Sequence, residues 1–207
     1  MGIGVDKMRK YDSKIRSQQA EKTKEQISKV IENLIVSRDI KSVSIKEICK
    51  EAQVSVGTFY LYFESKEQAL LYNYHMADAL FDEISLDDTK SPITNLNIIF
   101  EEYINMIDFN LINNTKQIYM AHIIYFDEYF FSWDRALTSI VLKLIEEGQE
   151  KNLIMNEYTS KEISIKILRF VRGILYDLVI RTKLIDLDTW KQESVEDINR
   201  YIKIFEI

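Results

Sequence analysis

The chain has 207 residues, 46% of them hydrophobic, and a net charge of −6. That is enough apolar material for one or two packed domains, and it excludes a disordered chain. One cysteine excludes an internal disulfide framework, and with only two histidines, His75 and His122, it argues against a Cys/His metal site and gives no sign of a cofactor.

With one proline and five glycines, the sequence predicts an all-α chain of about nine helices with short connections. There is no run of 18 apolar residues and no signal-peptide pattern, so the expectation is a cytoplasmic protein with no membrane span. The charge is uneven. Residues 1–66 hold 13 Lys/Arg and 9 Asp/Glu, while the remainder holds 14 and 24. A basic head on an acidic body can still meet a phosphate backbone, because charges act over about a Debye length, ~8–10 Å.

Residues 1–16 carry Lys7, Arg9, Lys10, Lys14 and Arg16 without apolar periodicity. They read as a basic N-terminal arm, mobile or partly helical, either a solvated tail or a segment that touches DNA. From Ser17 to Ser37 the pattern is helical, with Ile27, Val30, Ile31, Leu34 and Ile35 in one core-facing stripe.

Ser44 to Lys66 then reads as two short helices and a tight turn. Ser44 and Glu47 fit a capping box, and Ile45, Ile48, Cys49 and Ala52 share a face. Gln53-Val54 makes the turn, Ser55 caps a helix from Val56 to about Leu61, and Ser65 to Gln68 is a second capping box. Such a pair matches the helix-turn-helix, whose second helix enters the DNA major groove. The spacing therefore predicts a DNA-binding domain over 17–64 and a linking helix over 65–86. Asp87 to Pro92 is the domain boundary.

The body, 87–207, is predicted to hold helices near 93–112, 115–126, 128–151, 160–184 and 189–206. Asn113-Asn114-Thr115 separates the first pair, and Thr159 with Glu162 and Thr189 with Gln192 supply capping boxes. Residues 99–133 are dense in aromatics. Phe100, Tyr103, Met106, Tyr119, His122, Tyr125 and Phe126 are the candidate ligand-binding residues for a small hydrophobic or aromatic effector, with plain core packing as the alternative. The helix near 160–184 is apolar nearly all round. It predicts a homodimer interface with the last helix, against a larger monomer core as the alternative.

Val54 to Phe63, then Ser65-Lys66-Glu67 and Leu70, form a "VSxGTxYxYFxSKExxL" pattern that resembles the DNA-binding signature of the TetR family of bacterial transcriptional regulators. Ile45 to Ala52 resembles the family's preceding helix, and Cys49 stands where a small apolar residue is common. The resemblance covers roughly residues 25–72. It implies an all-α homodimer that binds double-stranded operator DNA, with a helical body that takes a small effector and a four-helix dimer interface. The predicted DNA-binding set is Ser44, Ser55, Val56, Gly57, Thr58, Tyr60, Leu61, Tyr62 and Lys66. Gly57 admits the DNA backbone, Tyr60 and Lys66 suit phosphate, and Thr58 suits phosphate or a thymine methyl, with a local backbone hydrogen bond as its alternative. Val56 and Leu61 suit thymine methyls. Ser44 and its neighbouring N–H groups offer an anion site at a helix N-terminus. Core packing is the alternative for the tyrosines. Few Arg, Asn or Gln stand at the reading positions, so the expected operator is an A·T-rich palindrome read through methyls and shape. The competing reading is a helical ligand carrier without specific DNA binding. No nucleophile motif, phosphate loop or metal cluster supports an enzyme.

Overall fold

The computed structural model describes residues 3–78, 81, 84 and 86–207; at 3–14, 73–77 and 109 the description is of the backbone alone. Among the described residues the fold is all-α, with nine α-helices: α1 (Ile3–Ile35), α2 (Ile45–Glu51), α3 (Val56–Tyr62), α4 (Lys66–Asp78), α5 (Pro92–Asn105), α6 (Phe109–Ile124), α7 (Ala136–Glu150), α8 (Ser160–Arg181) and α9 (Leu187–Lys203). 3-10 turns at Ile40–Ser42 and Glu128–Phe131 interrupt the loops. No described helix is long and apolar enough to cross a membrane.

Two cores form. In the head, Ile27, Ile31 and Ile35 of α1 close over Ile48, Cys49 and Phe59, and all six are buried. Burial pushes the Cys49 thiol up from its ordinary pKa, so it is a packed neutral thiol. In the body, α5 packs on α7 and α9, while α8 packs on α6, α7 and α9. Between the two units, α4 runs against both α1 and α6.

Local caps account for most helix starts. The Oγ of Ser91 accepts from Thr94 N at 3.1 Å, with Pro92 at the first helical position, where its missing N–H costs nothing. Thr159 and Glu162 form the full capping box that the sequence predicts. After α7, Asn152 adopts a left-handed φ of 54° and Leu153 N returns to the Gly148 carbonyl at 2.8 Å, closing the helix.

Several boundaries depart from expectation. The first helix begins at Ile3, not Ser17; the arm's side chains up to Lys14 lie outside the described residues. α5 stops at Asn105, and Asp108, whose carboxylate accepts from Leu111 N at 2.7 Å, starts α6. Asn113, Asn114 and Thr115 therefore lie inside α6 and not between helices. The expected helix over 128–151 is a 3-10 turn and then α7, because Asp127 caps a separate short turn and Ser132 to Arg135 cross between the two. The last helix starts at Leu187, since the Asp186 carboxylate captures Thr189 N at 2.9 Å and takes the cap from Thr189. Of the expected linking helix to 86, α4 is described to Asp78, and Phe81 and Ile84 lie in turn geometry. Residues 79, 80, 82, 83 and 85 lie outside the described residues.

Candidate nucleic-acid interface and ligand cavity

α2 and α3 meet through a turn that depends on one unusual backbone angle. Gln53 has φ 53°, the left-handed region that ends a helix, and Val54 N returns to the Cys49 carbonyl at 2.9 Å. Gln26 of α1 donates to the Ala52 carbonyl at 2.8 Å, which ties the turn to the head. Ser44 caps α2, its Oγ accepting from Glu47 N at 3.2 Å. The carboxylate of Glu47 pairs chiefly with Arg38, whose hydrogen bond holds it below the usual carboxylate range. The Ser44 hydroxyl is thus already engaged within the seven-residue α2.

Ser55 caps α3 by accepting from Thr58 N at 2.9 Å, and its hydroxyl also lies 2.8 Å from that of Thr58. Phe59 is fully buried beneath the helix and Phe63 nearly so, which fixes the opposite face outward. That face carries Val56 (41% exposed), Tyr60 (56%) and Leu61 (73%). Gly57 sits among them. A Cβ built there would meet only Ser55 Oγ, at an ordinary 3.6 Å, so nothing in the chain's own packing requires glycine. Tyr62 is half-buried against the head core.

Lys66 has a structural task that spacing did not reveal. Its Nζ donates to the carbonyls of Ile40 and Val43, each at 2.7 Å, with that of Lys41 at 3.4 Å. The ammonium thereby ends the 3-10 turn before α2 and ties it to the start of α4. In the same turn the Gln68 side chain accepts from Glu64 N at 2.6 Å, and Gln68 N donates to Ser65 Oγ.

A cavity of about 250 Å³ lies at the junction of head and body. Its wall includes Glu32 of α1, Leu70 and Asp78 of α4, Tyr103 of α5, Asn114 of α6 and Arg135 at the start of α7. A smaller space of about 60 Å³ adjoins it, with Tyr103 and Arg135 common to both and Tyr119 beside them. Burial raises the pKa of the Tyr103 and Tyr119 hydroxyls, so both stay protonated at neutral pH.

Of the residues singled out for ligand binding, Tyr103 and Met106 line the larger space and Tyr119 the smaller. Phe100 packs in the body core, 1% exposed, and lines neither. His122 packs on Phe130 with ring centroids 4.3 Å apart and also lines neither. α6 ends at Ile124, so Tyr125 and Phe126 turn outward, Phe126 to 74% exposure; they border an open groove facing Tyr62, Phe63 and Tyr72 of the head. Asn114 and Arg135 were missed: the first was read as a helix break, and the second lies far in sequence from its partner, Asp78.

A cap-and-turn helix pair on a three-helix core, followed by a larger helical body and a cavity at their junction, defines a helix-turn-helix architecture. Residues 27–72 match the family described as "Bacterial regulatory proteins, tetR family". The chain is 30% identical over 133 residues to the TetC protein of transposon Tn10 from Escherichia coli, covering 57% of this chain and 63% of that one. It is 38% identical over 84 residues to the HTH-type transcriptional regulator YuxN of Bacillus subtilis, covering 37% of this chain and 28% of that one. The chain therefore spans less than two thirds of either relative. In fold it resembles a TetR family transcriptional regulator from Pseudomonas syringae pv. tomato, with a TM-score of 0.62 at 15% identity over 88% of this chain and 96% of that one. Residues 27–72 thus carry a TetR-type DNA-binding domain, and the chain as a whole resembles TetR family regulators in fold.

Proposed function

We propose that this chain is a homodimeric DNA-binding transcriptional regulator, a repressor released from a palindromic operator by a small, largely apolar ligand. The observation that carries the reading is the outer face of α3. Val56, Tyr60 and Leu61 stand exposed beside a glycine where a Cβ would touch only Ser55 Oγ, on a helix anchored from beneath by Phe59. In this reading Gly57 lets a phosphate backbone approach, Tyr60 donates its hydroxyl to phosphate, and Val56 and Leu61 meet thymine methyls. Ser55 and Thr58 hold the N-terminus of the helix in shape, and Tyr62 braces it from its half-buried position. Lys66 acts from within the head and makes no phosphate contact.

The second half of the reading is dimerisation through α8 and α9. Gly173 stands exposed in the middle of α8, where a Cβ would meet nothing within 4 Å. Tyr176 (56%) and Ile180 (63%) are exposed on the same helix. The groove between α8 and α9 has Lys166 and Arg169 on α8 and Glu193 and Asp197 on α9, an arrangement that a twofold axis makes self-complementary. Two recognition helices would then sit about 34–36 Å apart, one turn of DNA.

The test is a titration of the purified protein against a duplex from upstream of its own gene at a series of salt concentrations. Several neutralised phosphates give a steep fall in affinity with salt, about 0.9 log units per log salt for each phosphate. No binding at low salt would favour the helical ligand carrier.

A further inference from the structure

The cavity at the junction carries a chemical preference, and this inference rests on the reading of that cavity as an effector site. Most of its wall is apolar, with Leu70, Phe81, Met106, Ile107, Leu111 and Leu175 prominent. Its charged groups are largely occupied. Arg135 donates to the Asp78 carboxylate and to the Phe130 carbonyl, and the second Asp78 oxygen accepts from Ala136 N. The Thr115 hydroxyl donates to the Leu111 carbonyl in its own helix. Asn114 differs. It is 7% exposed, and its Oδ1 is buried with no hydrogen-bond partner among the described residues. Its Nδ2 faces Glu32 Oε1 at 3.4 Å, which sets the amide so that the oxygen is the atom left over. A buried acceptor without a donor is costly, so a bound molecule that supplies one gains what the free protein forgoes. Tyr103 adds a protonated hydroxyl on the same wall, bonded to no described residue.

We propose that this cavity binds a compact, uncharged, mainly aromatic molecule bearing a hydrogen-bond donor, of which a small phenol is the simplest example, and that Asn114 accepts that donor. A volume of about 250 Å³ suits a single ring with a short substituent, since drug-sized sites run from about 300 to 1,000 Å³. An anionic head is disfavoured. Its natural partner, Arg135, is committed to Asp78, and the Glu32 carboxylate and the Asn114 amide oxygen on the wall are acceptors with no proton to offer it. A hydroxyl suits the site, because its proton is the donor that the Asn114 oxygen lacks.

The probes are 4-ethylphenol, its methyl isostere 4-ethyltoluene, and 4-ethylbenzoate, each titrated calorimetrically into the full chain. The expected result is about tenfold or greater preference for the phenol over the isostere, from the donor that the buried acceptor otherwise lacks, with the benzoate weakest. In Asn114→Leu the two neutral probes should bind alike. Equal or tighter binding of 4-ethyltoluene, a lead for the benzoate, a preference that persists in Asn114→Leu, or no binding by any probe would each overturn the proposal. If Asn114→Leu fails to fold, the rank order on the unmodified chain decides alone. A DNA shift measured on the same preparation reports separately on the regulator reading.

Discussion

The carboxylate of Asp78 in α4 receives Arg135 from the start of α7, with Nη2 at 2.7 Å and Nε at 3.2 Å, and both side chains are nearly excluded from water at 1% and 7% exposure. The second oxygen of Asp78 accepts from Ala136 N at 2.8 Å, so α4 also caps α7, which has no side-chain cap of its own. α4 is the helix that follows the helix-turn-helix, and this pair locks it to the body beside the cavity. A buried pair is stable only while both members remain, because one charge left alone bears the whole desolvation cost. Asp78→Ala should cost about 3–5 kcal/mol by chemical denaturation. The double variant Asp78→Leu with Arg135→Met should lose less than Asp78→Ala alone.

Gly57→Ala separates folding from DNA contact. The new methyl meets only Ser55 Oγ at 3.6 Å, and alanine is the better helix former by up to about 1 kcal/mol. Thermal stability should stay level or rise while DNA affinity falls by at least about tenfold, the effect of about 1.4 kcal/mol of lost contact. Melting and gel-shift measurements on the same sample check both arms.

Lys66→Met should act on stability. Removing the ammonium from the partly buried Ile40 and Val43 carbonyls should cost the head about 1–3 kcal/mol. If Lys66 makes no phosphate contact, the slope of log affinity against log salt stays unchanged at a temperature where the variant is folded. A slope shallower by about 0.9 would return Lys66 to the phosphate contacts.

Gly148→Ala should destabilise. A Cβ there would lie 2.5 Å from Ile154 Cδ1 and 2.9 Å from Cγ1, and Ile154 is 1% exposed. Overpacking of this kind costs about 1–3 kcal/mol. Adding Ile154→Val removes the nearest atom and should recover part of the loss in a denaturation series.

Acid should loosen the caps of α8 and α9. Hydrogen bonds from the Thr159 and Thr189 backbones lower the pKa of Glu162 and Asp186 below ordinary values of 4.5 and 3.8. A lowered folded-state pKa means that the stabilisation is fully present above the ordinary value and is lost as pH falls through the lowered one. Stability should therefore decline below about pH 4.5, and Glu162→Gln with Asp186→Asn should flatten that part of the profile.

Features governed by neighbouring residues were legible in the sequence. The Ser44, Ser55 and Thr159 caps, the Gln53 turn and the α1 stripe all depend on groups within a few positions, and periodicity finds them. What escaped depends on groups far apart in the chain. Asn113 donates to the Ile35 and Val36 carbonyls at the end of α1, and Gln117 Oε1 accepts from Ile40 N at 3.3 Å. The polar run in α6 thus joins body to head; in sequence, asparagines beside a threonine carry the composition of a loop. Aromatic density marked the region of the cavity and part of its wall, Tyr103 and Tyr119, but Phe100 turns to the body core and Phe126 to the surface. Asp78 and Arg135 stand 57 positions apart, and no local pattern joins them.

Footprinting on the DNA upstream of the chain's own gene tests the central claim most directly. The account predicts protection of a palindrome with half-sites one helical turn apart, lost in Tyr60→Ala at unchanged thermal stability. Protection that survives Tyr60→Ala and Leu61→Ala together, or no protected site at low salt, would contradict it.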